Sequence, residues 1–216
     1  MIKVIENTSK SHQIAKMLLE IGAIQLNIEK PFSWSSGWNS PIYCDNRLSL
    51  SFPAIRSYIK NLLAEQVKTN YPDVEAIAGV ATAGIPQGAL VADSLELPFL
   101  YVRSKPKGHG MENMIEGKIT KNQKVVLVED LVSTGGSSLK AAAALKQAEF
   151  DILGMAAIFT YGFDVAEQNF GNANIPLFCL SDYNTLIDEA LSQNLISGEQ
   201  VAFLKSWRED PSTWNN

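Results

Sequence analysis

The chain has 216 residues, of which 46% are apolar and 19% are charged, and its formal net charge is −5. This length is typical of one α/β domain, and the negative charge argues against a general role at nucleic acids or membrane surfaces. The apolar runs are too short to span a bilayer, and the N-terminal segment lacks the apolar region of a signal peptide. The two cysteines, Cys44 and Cys179, lie far apart and do not suggest a disulfide framework or a zinc site. These features predict a cytoplasmic protein with reduced thiols.

The first part of the chain combines helices with an irregular aromatic segment. Apolar residues at helical spacing predict an amphipathic helix over about 9–22. Residues 24–47 begin with strand-like alternation and continue with aromatic and small polar residues, so we predict a small hairpin-like hood there. Phe52-Pro53 opens a second helix, whose apolar face extends to Val67.

From residue 74 onward, strand-like and helix-like segments alternate. The predicted strands cover 74–80, 98–102, 124–129 and finally 152–160, and the predicted helices between them cover 84–95 and 137–149. Alternation of this kind predicts βαβ units, and therefore an α/β fold with a mostly parallel, twisted sheet flanked by helices.

The end of the chain returns to helical patterns. We predict a helix over 185–192, with Asp182 or Asn184 as its N-cap, and a second one over 198–208. The second helix begins with a capping box formed by Ser197 and Gln200. The tryptophans of this tail, Trp207 and Trp214, are expected to pack it onto the rest of the molecule.

The strand at 124–129 leads into the most informative motif of the sequence. Four apolar residues are followed by two adjacent acids, Glu129 and Asp130, and then by a turn rich in glycine and hydroxyl groups. A parallel strand that ends beside glycines and a helix N-terminus is typical of a phosphate-binding site. A plain strand-turn-helix connection is the alternative, but such a turn gains little from two neighbouring carboxylates. There is no Walker lysine and no G-x-G-x-x-G pattern, which argues against a P-loop nucleotide site and a dinucleotide site.

This segment resembles the phosphoribosyl pyrophosphate (PRPP) motif of the type I phosphoribosyltransferases. The resemblance implies the fold of that family in a single domain over 1–216, with the hood, a PRPP-binding core over about 70–160 and a helical tail over 182–216. It also implies that Glu129 and Asp130 hold the ribose hydroxyls of PRPP and its hydrated Mg²⁺, with Asp130 reaching the ion through water and no side chain binding it directly. The loop implied to bind the 5′-phosphate comprises Ser133, Thr134, Gly135, Gly136 and Ser137, and Leu131 and Val132 before it are also implied to contact PRPP.

A basic segment follows the strand at 98–102. Arg103, Lys105, Lys107 and His109 fall within seven residues of an otherwise acidic protein. A loop of about 15 residues without secondary structure is more often a functional lid than a simple connection. A solvated, flexible basic turn is the alternative. Cations brought onto a leaving pyrophosphate would stabilise its growing charge and exclude water, which favours the lid.

The pattern Arg-x-x-x-Lys-x-His-Gly in this segment is similar to the catalytic loop of the orotate phosphoribosyltransferases. Arg103, Lys107 and His109 carry the match. The resemblance implies that these three residues and Asp130 act in catalysis, and that Lys105 joins the three in contacting PRPP. It also implies a homodimer in which the lid loop reaches into the site of the neighbouring subunit.

The aromatic hood over 32–43 resembles the segment that covers the base in the same family. The resemblance implies that Ser133 contacts orotate. A flat heterocycle also calls for an aromatic face, and Tyr43 is the candidate for it. For Tyr43, packing in the core is the alternative. For Trp34 and Trp38, packing in the core or at a dimer interface is expected.

Some positions depart from the family pattern. Ser104 and Ala83 stand where some members carry basic residues. Tyr161 follows the strand at 152–160, where some members carry an arginine for the orotate carboxylate. Arg47 is the candidate cation in its place, and an ordinary salt-bridged surface arginine is the open alternative.

These motifs together predict phosphoribosyl transfer from PRPP to orotate, which yields orotidine 5′-monophosphate and pyrophosphate in pyrimidine biosynthesis. Mg²⁺ would be carried by PRPP, and no nucleic-acid or membrane partner is expected. Three alternatives stay open: a transferase for another nucleobase, a non-catalytic regulator that senses PRPP, and an α/β domain that binds another phosphorylated metabolite.

Overall fold

The protein is described by a computed structural model over residues 2–6, 8–34, 37–105, 114–212 and 214. None of the helices within these ranges has the length and apolar character needed to cross a bilayer.

Strands and helices alternate along most of the described chain. The strands are β1 (Ile2–Val4), β2 (Ile24–Leu26), β3 (Phe32–Ser33), β4 (Asn39–Ser40), β5 (Ile42–Cys44), β6 (Ala76–Val80), β7 (Phe99–Val102), β8 (Ile115–Glu116), β9 (Lys124–Val132), β10 (Asp151–Thr160) and β11 (Leu177–Asp182). The α-helices are α1 (Thr8–Glu20), α2 (Pro53–Asn70), α3 (Gly84–Leu95), α4 (Gly136–Gln147), α5 (Asp164–Ala173), α6 (Tyr183–Ser192) and α7 (Gly198–Glu209), and a 3-10 helix covers Asn46–Ser51.

The main sheet has seven strands in the order β1-β11-β10-β9-β6-β7-β8. All neighbouring pairs are parallel except β7 and β8, which are antiparallel at one edge. The carboxyl ends of β6, β7, β9 and β10 therefore lie along the same edge of the sheet. This shared edge is where open α/β sheets bind their ligands, because the connecting turns and helix N-termini meet there.

The sheet is buried on both faces, which explains the nearly continuous apolar runs of its central strands. In β9, Val126 and Val128 pack into one core, together with buried side chains of α1, α2, α3, α6 and α7. Val125 and Leu127 face the other core, which is covered by α4 and α5. The alternation of faces along β9 thus divides the helices into two layers.

The hood consists of two short antiparallel pairs, β2 with β5 and β3 with β4. Its aromatic residues pack onto the tail. Trp34 contacts Trp207 edge to face at 5.7 Å between ring centroids, and Trp207 is fully buried and donates from its indole nitrogen to the carbonyl of Asn39. Trp214 packs against Phe203. The predicted role is confirmed for Trp207, whereas the contact of Trp214 with Phe203 lies within the tail itself.

Most predicted elements are present, but the sheet is larger than predicted. The helices predicted over 84–95 and 198–208 agree closely with α3 and α7, and Asp182 is the N-cap of α6. The prediction of 152–160 as the last strand is wrong, because β11 and β1 extend the sheet beyond β10. Neither strand is evident in the sequence pattern, since β1 is only three residues long and β11 follows a helix, α5, whose pattern is largely polar.

Candidate functional site

The two adjacent acids lie inside β9, which continues to Val132 rather than ending at residue 129 as predicted. Val132 is a strand residue, because its carbonyl accepts hydrogen bonds from Thr160 Oγ1 at 3.0 Å and from the backbone of Tyr161. The ligand-facing turn is therefore shorter than predicted. Parallel pairing with β10 holds the longer strand in place.

Glu129 and Asp130 have different surroundings. The Glu129 side chain is buried, and its two oxygens accept hydrogen bonds from Ser138 Oγ of α4 at 3.2 Å and from the backbone N–H of Asp130 at 3.0 Å. Asp130 is only half-buried, and its carbonyl accepts a 2.7 Å hydrogen bond from Asn46 Nδ2 of the 3-10 helix. Glu129 thus anchors the strand to α4, while Asp130 joins it to the hood.

Burial changes the acidity of this pair. Burial raises the pKa of Glu129 well above its ordinary value, and the negative charge of Asp130 raises it further. Burial also raises the pKa of Asp130, against the opposing effects of hydrogen bonds to Glu129 and the backbone and of the charge on Arg47. The pair therefore resists carrying two negative charges in the unliganded protein.

This shift gives a testable pH dependence of stability. The pKa of Glu129 in the folded protein is raised above its unfolded value of about 4.3, so between these two pKa values the folded state binds more protons than the unfolded state. The free energy of unfolding therefore falls as the pH rises from the unfolded pKa through the folded pKa. We expect Glu129→Gln to remove this decline and to raise Tm near neutral pH. Calorimetric melting at several pH values measures the change of Tm with pH, and Glu65→Gln, at an exposed glutamate, is the control. A steeper decline in the Gln variant would contradict the assignment.

The turn after β9 brings backbone N–H groups to the start of α4. Gly135 has a φ of +83°, and α4 begins at Gly136. The carbonyl of Thr134 accepts a hydrogen bond from Asn169 of α5 at 3.0 Å, which fixes the turn from the other side. A helix N-terminus preceded by such a turn favours an anion, through its free N–H groups and the helix dipole.

Gly135 is required by both its backbone angle and its surroundings. A Cβ there would lie 2.7 Å from the ring of Phe170, which is fully buried. We expect Gly135→Ala to lower the free energy of unfolding by about 2–4 kcal/mol, because it combines a positive-φ penalty with a clash in the core. Chemical denaturation measures the change.

Gly136→Ala is the matched control for stability. It introduces the same methyl group one position later, where only Thr134 Oγ1 lies within contact, at 3.9 Å. The φ of Gly136 is not positive, so this substitution should leave stability unchanged or raise it slightly. Equal losses in both variants would show that the backbone angle of Gly135 is not the cause.

A cavity of about 510 Å³ opens between the hood and the turn after β9. It brings together the predicted orotate-binding residues Tyr43 and Ser133. The cavity is lined by Ser33, Trp34, Trp38, Tyr43, Cys44, Leu131, Ser133, Thr134 and Tyr161. None of these side chains is a cation or a carboxylate. Its walls are therefore aromatic and hydroxyl-bearing, as a flat heterocycle would require.

Tyr43 lies at the edge of this cavity rather than in the core. Its exposed fraction is 40%, and its ring contacts Phe32 at 5.6 Å between centroids. Core packing, the alternative for this residue, is therefore wrong. Trp34 and Trp38 do pack against the core, as predicted, and they also line the cavity, which was not predicted.

Arg47 does not line the cavity. Its guanidinium binds both oxygens of Asp45, at 2.6 and 2.8 Å, and its side chain is 58% exposed. The structure thus shows the salt-bridged surface arginine that was the open alternative. The charge of Arg47 still acts on Asp130, whose pKa it lowers, so its role toward orotate stays a prediction.

The base of the predicted lid lies next to the same edge of the sheet. Arg103 pairs with Glu116 of β8 at 3.2 Å, and the carbonyl of Ser104 accepts a hydrogen bond from Lys140 of α4 at 3.2 Å. Lys105 is the last residue described before the gap. Lys107 and His109 lie outside the described residues, so their predicted contacts stay predictions.

Asn46 is a residue of this region that the sequence pattern did not predict. It is buried, donates to the Asp130 carbonyl and accepts a hydrogen bond from Cys44 Sγ at 3.3 Å. Burial and the neighbouring carboxylates of Asp130 and Asp45 raise the pKa of Cys44 well above its ordinary value, so this thiol stays protonated. The only sequence signal for Asn46 was its position inside the hood.

No cluster of three or more histidine, cysteine, aspartate or glutamate side chains in the described part of the chain could hold a metal ion. The oxygen atoms of Glu129 and Asp130 are of the kind that Mg²⁺ accepts as ligands or contacts through water.

Comparison with known proteins agrees with the geometry. Residues 48–181 match the model of the phosphoribosyl transferase domain. The chain is 59% identical to the orotate phosphoribosyltransferase of Cytophaga hutchinsonii over 94% of this chain and 97% of that protein, and 56% identical to the orotate phosphoribosyltransferase of Porphyromonas gingivalis over 93% and 96%. The crystal structure of orotate phosphoribosyltransferase from Aeropyrum pernix superimposes with a TM-score of 0.74 at 28% identity, covering 85% of this chain and 99% of that one.

Proposed function

The chain belongs to the orotate phosphoribosyltransferases, and from this membership we propose how its residues divide the work of the reaction. It is a pentosyltransferase of pyrimidine biosynthesis, which transfers the 5-phosphoribosyl group of PRPP to orotate and forms orotidine 5′-monophosphate and pyrophosphate. The observation that carries the proposal is the position of an uncharged, aromatic cavity directly beside the acid pair and an anion-binding turn.

The acid pair would act on the ribose. The reaction displaces pyrophosphate at the anomeric carbon, and positive charge develops on the ring as the bond breaks. Asp130, half-buried beside the cavity, would stabilise that charge and orient the ribose hydroxyls. Glu129 would hold Asp130 in position, because its two oxygens already accept hydrogen bonds from Ser138 and from the backbone N–H of Asp130.

The turn after β9 would hold the 5′-phosphate. Thr134, Gly135, Gly136 and Ser137 lie at the N-terminus of α4, where backbone N–H groups and the helix dipole favour an anion. Leu131 and Ser133 also line the cavity, so this segment would contact both the phosphoribosyl group and the base. Val132 would contribute only by holding the strand, since its side chain is buried.

The lid would act on the leaving group. Arg103, Lys105, Lys107 and His109 would contact the pyrophosphate oxygens and stabilise the charge that grows there. Only the base of this lid is described, and its hydrogen bonds to α4 and β8 hold it near the carboxyl edge of the sheet.

Mg²⁺ bound to PRPP would neutralise pyrophosphate charge and keep several of its waters. The site fits an ion that arrives with the substrate, because Asp130 presents oxygen atoms beside the cavity and can reach the ion through water. A homodimer that shares its lids between subunits and a cytoplasmic location are further parts of the proposal. The two cysteines are free thiols, which agrees with a reducing compartment.

The test is a substrate comparison with the purified chain. We expect pyrophosphate release only when PRPP, Mg²⁺ and orotate are all present, and little release with hypoxanthine, xanthine, adenine or uracil. Release with a different base would support the alternative of another base specificity. Magnesium-supported binding of PRPP without turnover on any base would support the PRPP-sensing regulator, and no binding of PRPP would overturn the proposal.

A further inference from the structure

Gln87 of α3 carries a buried amide that is only partly hydrogen-bonded. Its Nε2 donates to Ser49 Oγ of the 3-10 helix at 3.4 Å, whereas its Oε1 has no hydrogen-bond partner among the residues that the structure describes. A buried acceptor without a partner costs free energy, and an apolar side chain of similar length would avoid that cost. The stability of the core therefore does not explain why an amide stands at this position.

The hydrogen bond of Gln87 is the first in a buried series that ends at the acid pair. The Ser49 hydroxyl donates to the carbonyl of Asn46 at 2.6 Å, and Asn46 Nδ2 donates to the carbonyl of Asp130 at 2.7 Å. Gln87, Ser49 and Asn46 are all buried. These three residues form a polar network that connects α3 with Asp130.

α3 also contacts the end of β9 directly. Gly84 lies so close to this strand that a Cβ there would clash with the carbonyl of Val128 and would lie 3.2 Å from the Cα of Glu129. Gln87 follows Gly84 by three residues and therefore lies on the same side of the helix. α3 is thus linked to the end of β9 twice, directly through Gly84 and through the polar network at Asp130.

Asp130 depends on such support because the sheet holds this part of β9 from one side only. The pairing of β9 with β6 ends at Val128, whereas the pairing with β10 continues to Val132. The backbone N–H of Asp130 donates to the Glu129 carboxylate at 3.0 Å, and its carbonyl accepts from Asn46. The position of the Asp130 side chain follows from these backbone groups, so a movement of Asn46 would move the carboxylate.

We propose that Gln87 is a positioning residue for Asp130, which acts through Ser49 and Asn46 and holds the Asp130 carboxylate where positive charge develops on the ribose. The inference rests on the proposed function, because phosphoribosyl transfer is its readout. Gln87 is buried and does not line the cavity, so it acts on the reaction only through its neighbours. Removal of the amide should therefore lower turnover without lowering stability, whereas loss of a purely structural contact would lower stability first.

The experiment replaces Gln87 with methionine, which has a similar length and no amide. The Ser49 hydroxyl keeps its hydrogen bond to Asn46, so Gln87→Met leaves no new polar group without a partner, and Tm should stay unchanged or rise. We expect kcat with orotate to fall by about 10-fold, less than the roughly 100-fold that a displacement of about 1 Å can cost. The Kd for PRPP should change less than kcat, because Asp130 acts mainly on the transition state. Melting curves, steady-state kinetics and calorimetric titration of PRPP measure the three quantities.

Combined substitutions test whether Gln87 acts through Asp130. In the Asp130→Asn protein no carboxylate remains to be positioned, so adding Gln87→Met should lower kcat no further. Ser49→Ala interrupts the polar network at its middle, and it should lower kcat about as much as Gln87→Met does. The variant that carries both Gln87→Met and Ser49→Ala should lose little more than either alone, because both changes break one series of hydrogen bonds.

Ser11→Ala is the matched control for the loss of a buried hydroxyl. Ser11 of α1 donates to Ser181 Oγ of β11 at 3.3 Å, and both residues are buried, but neither lines the cavity. This substitution should lower Tm and keep kcat at its original value.

An unchanged kcat in Gln87→Met would overturn the inference. An undiminished loss of kcat when Gln87→Met is added to Asp130→Asn would overturn it as well, since Gln87 would then not act through the Asp130 carboxylate. If Gln87→Met does not fold, Ser49→Ala is judged by the same two criteria. Failure of the unchanged protein to release pyrophosphate with orotate is a different result, and it would overturn the proposed function instead.

Discussion

Replacing Lys107 with alanine is expected to lower kcat by about 100- to 1000-fold, the loss measured when one preorganised donor to a developing charge is removed. Pyrophosphate gains negative charge as it leaves, and a lysine that contacts it in the transition state acts mainly on the rate. The cavity proposed for the base lies between the hood and the turn after β9, and none of the described lid residues lines it, so the affinity for orotate should change little. Steady-state kinetics and calorimetric titration of orotate measure the two quantities.

Lys121→Ala is the control for loss of a surface lysine. Lys121 is exposed, pairs with Glu149 and precedes β9, at the edge of the sheet opposite the site. The Lys121→Ala substitution should leave kcat unchanged. An unchanged kcat in Lys107→Ala as well would refute the role of the lid. A large loss of orotate affinity would indicate that Lys107 contacts the base instead of pyrophosphate.

Replacing Asp130 with asparagine is expected to lower kcat/KM for PRPP by about 100-fold, because the ribose loses the carboxylate that stabilises its positive charge. The substitution is nearly isosteric. The hydrogen bond from Asn46 is made to the backbone carbonyl of residue 130, so it does not depend on the side chain. The fold should therefore be kept, and the loss should be one of charge.

Asp151→Asn is the control for this substitution. Asp151 is exposed at the start of β10, far from the carboxyl edge of the sheet. We expect it to behave like the unchanged protein, with melting curves of both variants as a check on folding. If Asp130→Asn keeps its catalytic efficiency toward PRPP, the acid pair is structural and the mechanism proposed here is wrong.

The two variants together test whether the lid is shared between subunits. In a mixed dimer with lids that act in trans, the Lys107→Ala subunit keeps an intact acid pair and receives an intact lid from its Asp130→Asn partner. An equal mixture should then regain about one quarter of the original activity after subunit exchange, since half of the dimers are mixed and each has one complete site. No recovery after verified exchange would indicate a lid that acts within its own subunit.

Much of the architecture followed from the sequence, because the physical causes are local. The apolar run of β9 reflects burial on both faces, the capping box at Ser197 is a contact between residues three positions apart, and the helix over 84–95 is set by its own pattern. The two acids and the glycine turn were equally predictable from the sequence, since an anion-binding turn at a helix N-terminus is formed by consecutive residues. The short β1 and the strand β11 were missed, because their stability comes from neighbouring strands rather than from their own pattern.

What the sequence determined by itself is the chemistry of the site: two acids, an anion-binding turn and a cationic segment, each encoded in a short stretch of chain. Only the tertiary structure decided which side chains line the cavity between the hood and the turn after β9. Tyr161 comes to lie beside Trp34 and Cys44, more than one hundred residues away, because the parallel sheet places the end of β10 next to the hood. The same packing turned Arg47 outward to Asp45 and buried Asn46 against Asp130. Side-chain orientation of this kind depends on long-range contacts, which no local pattern records.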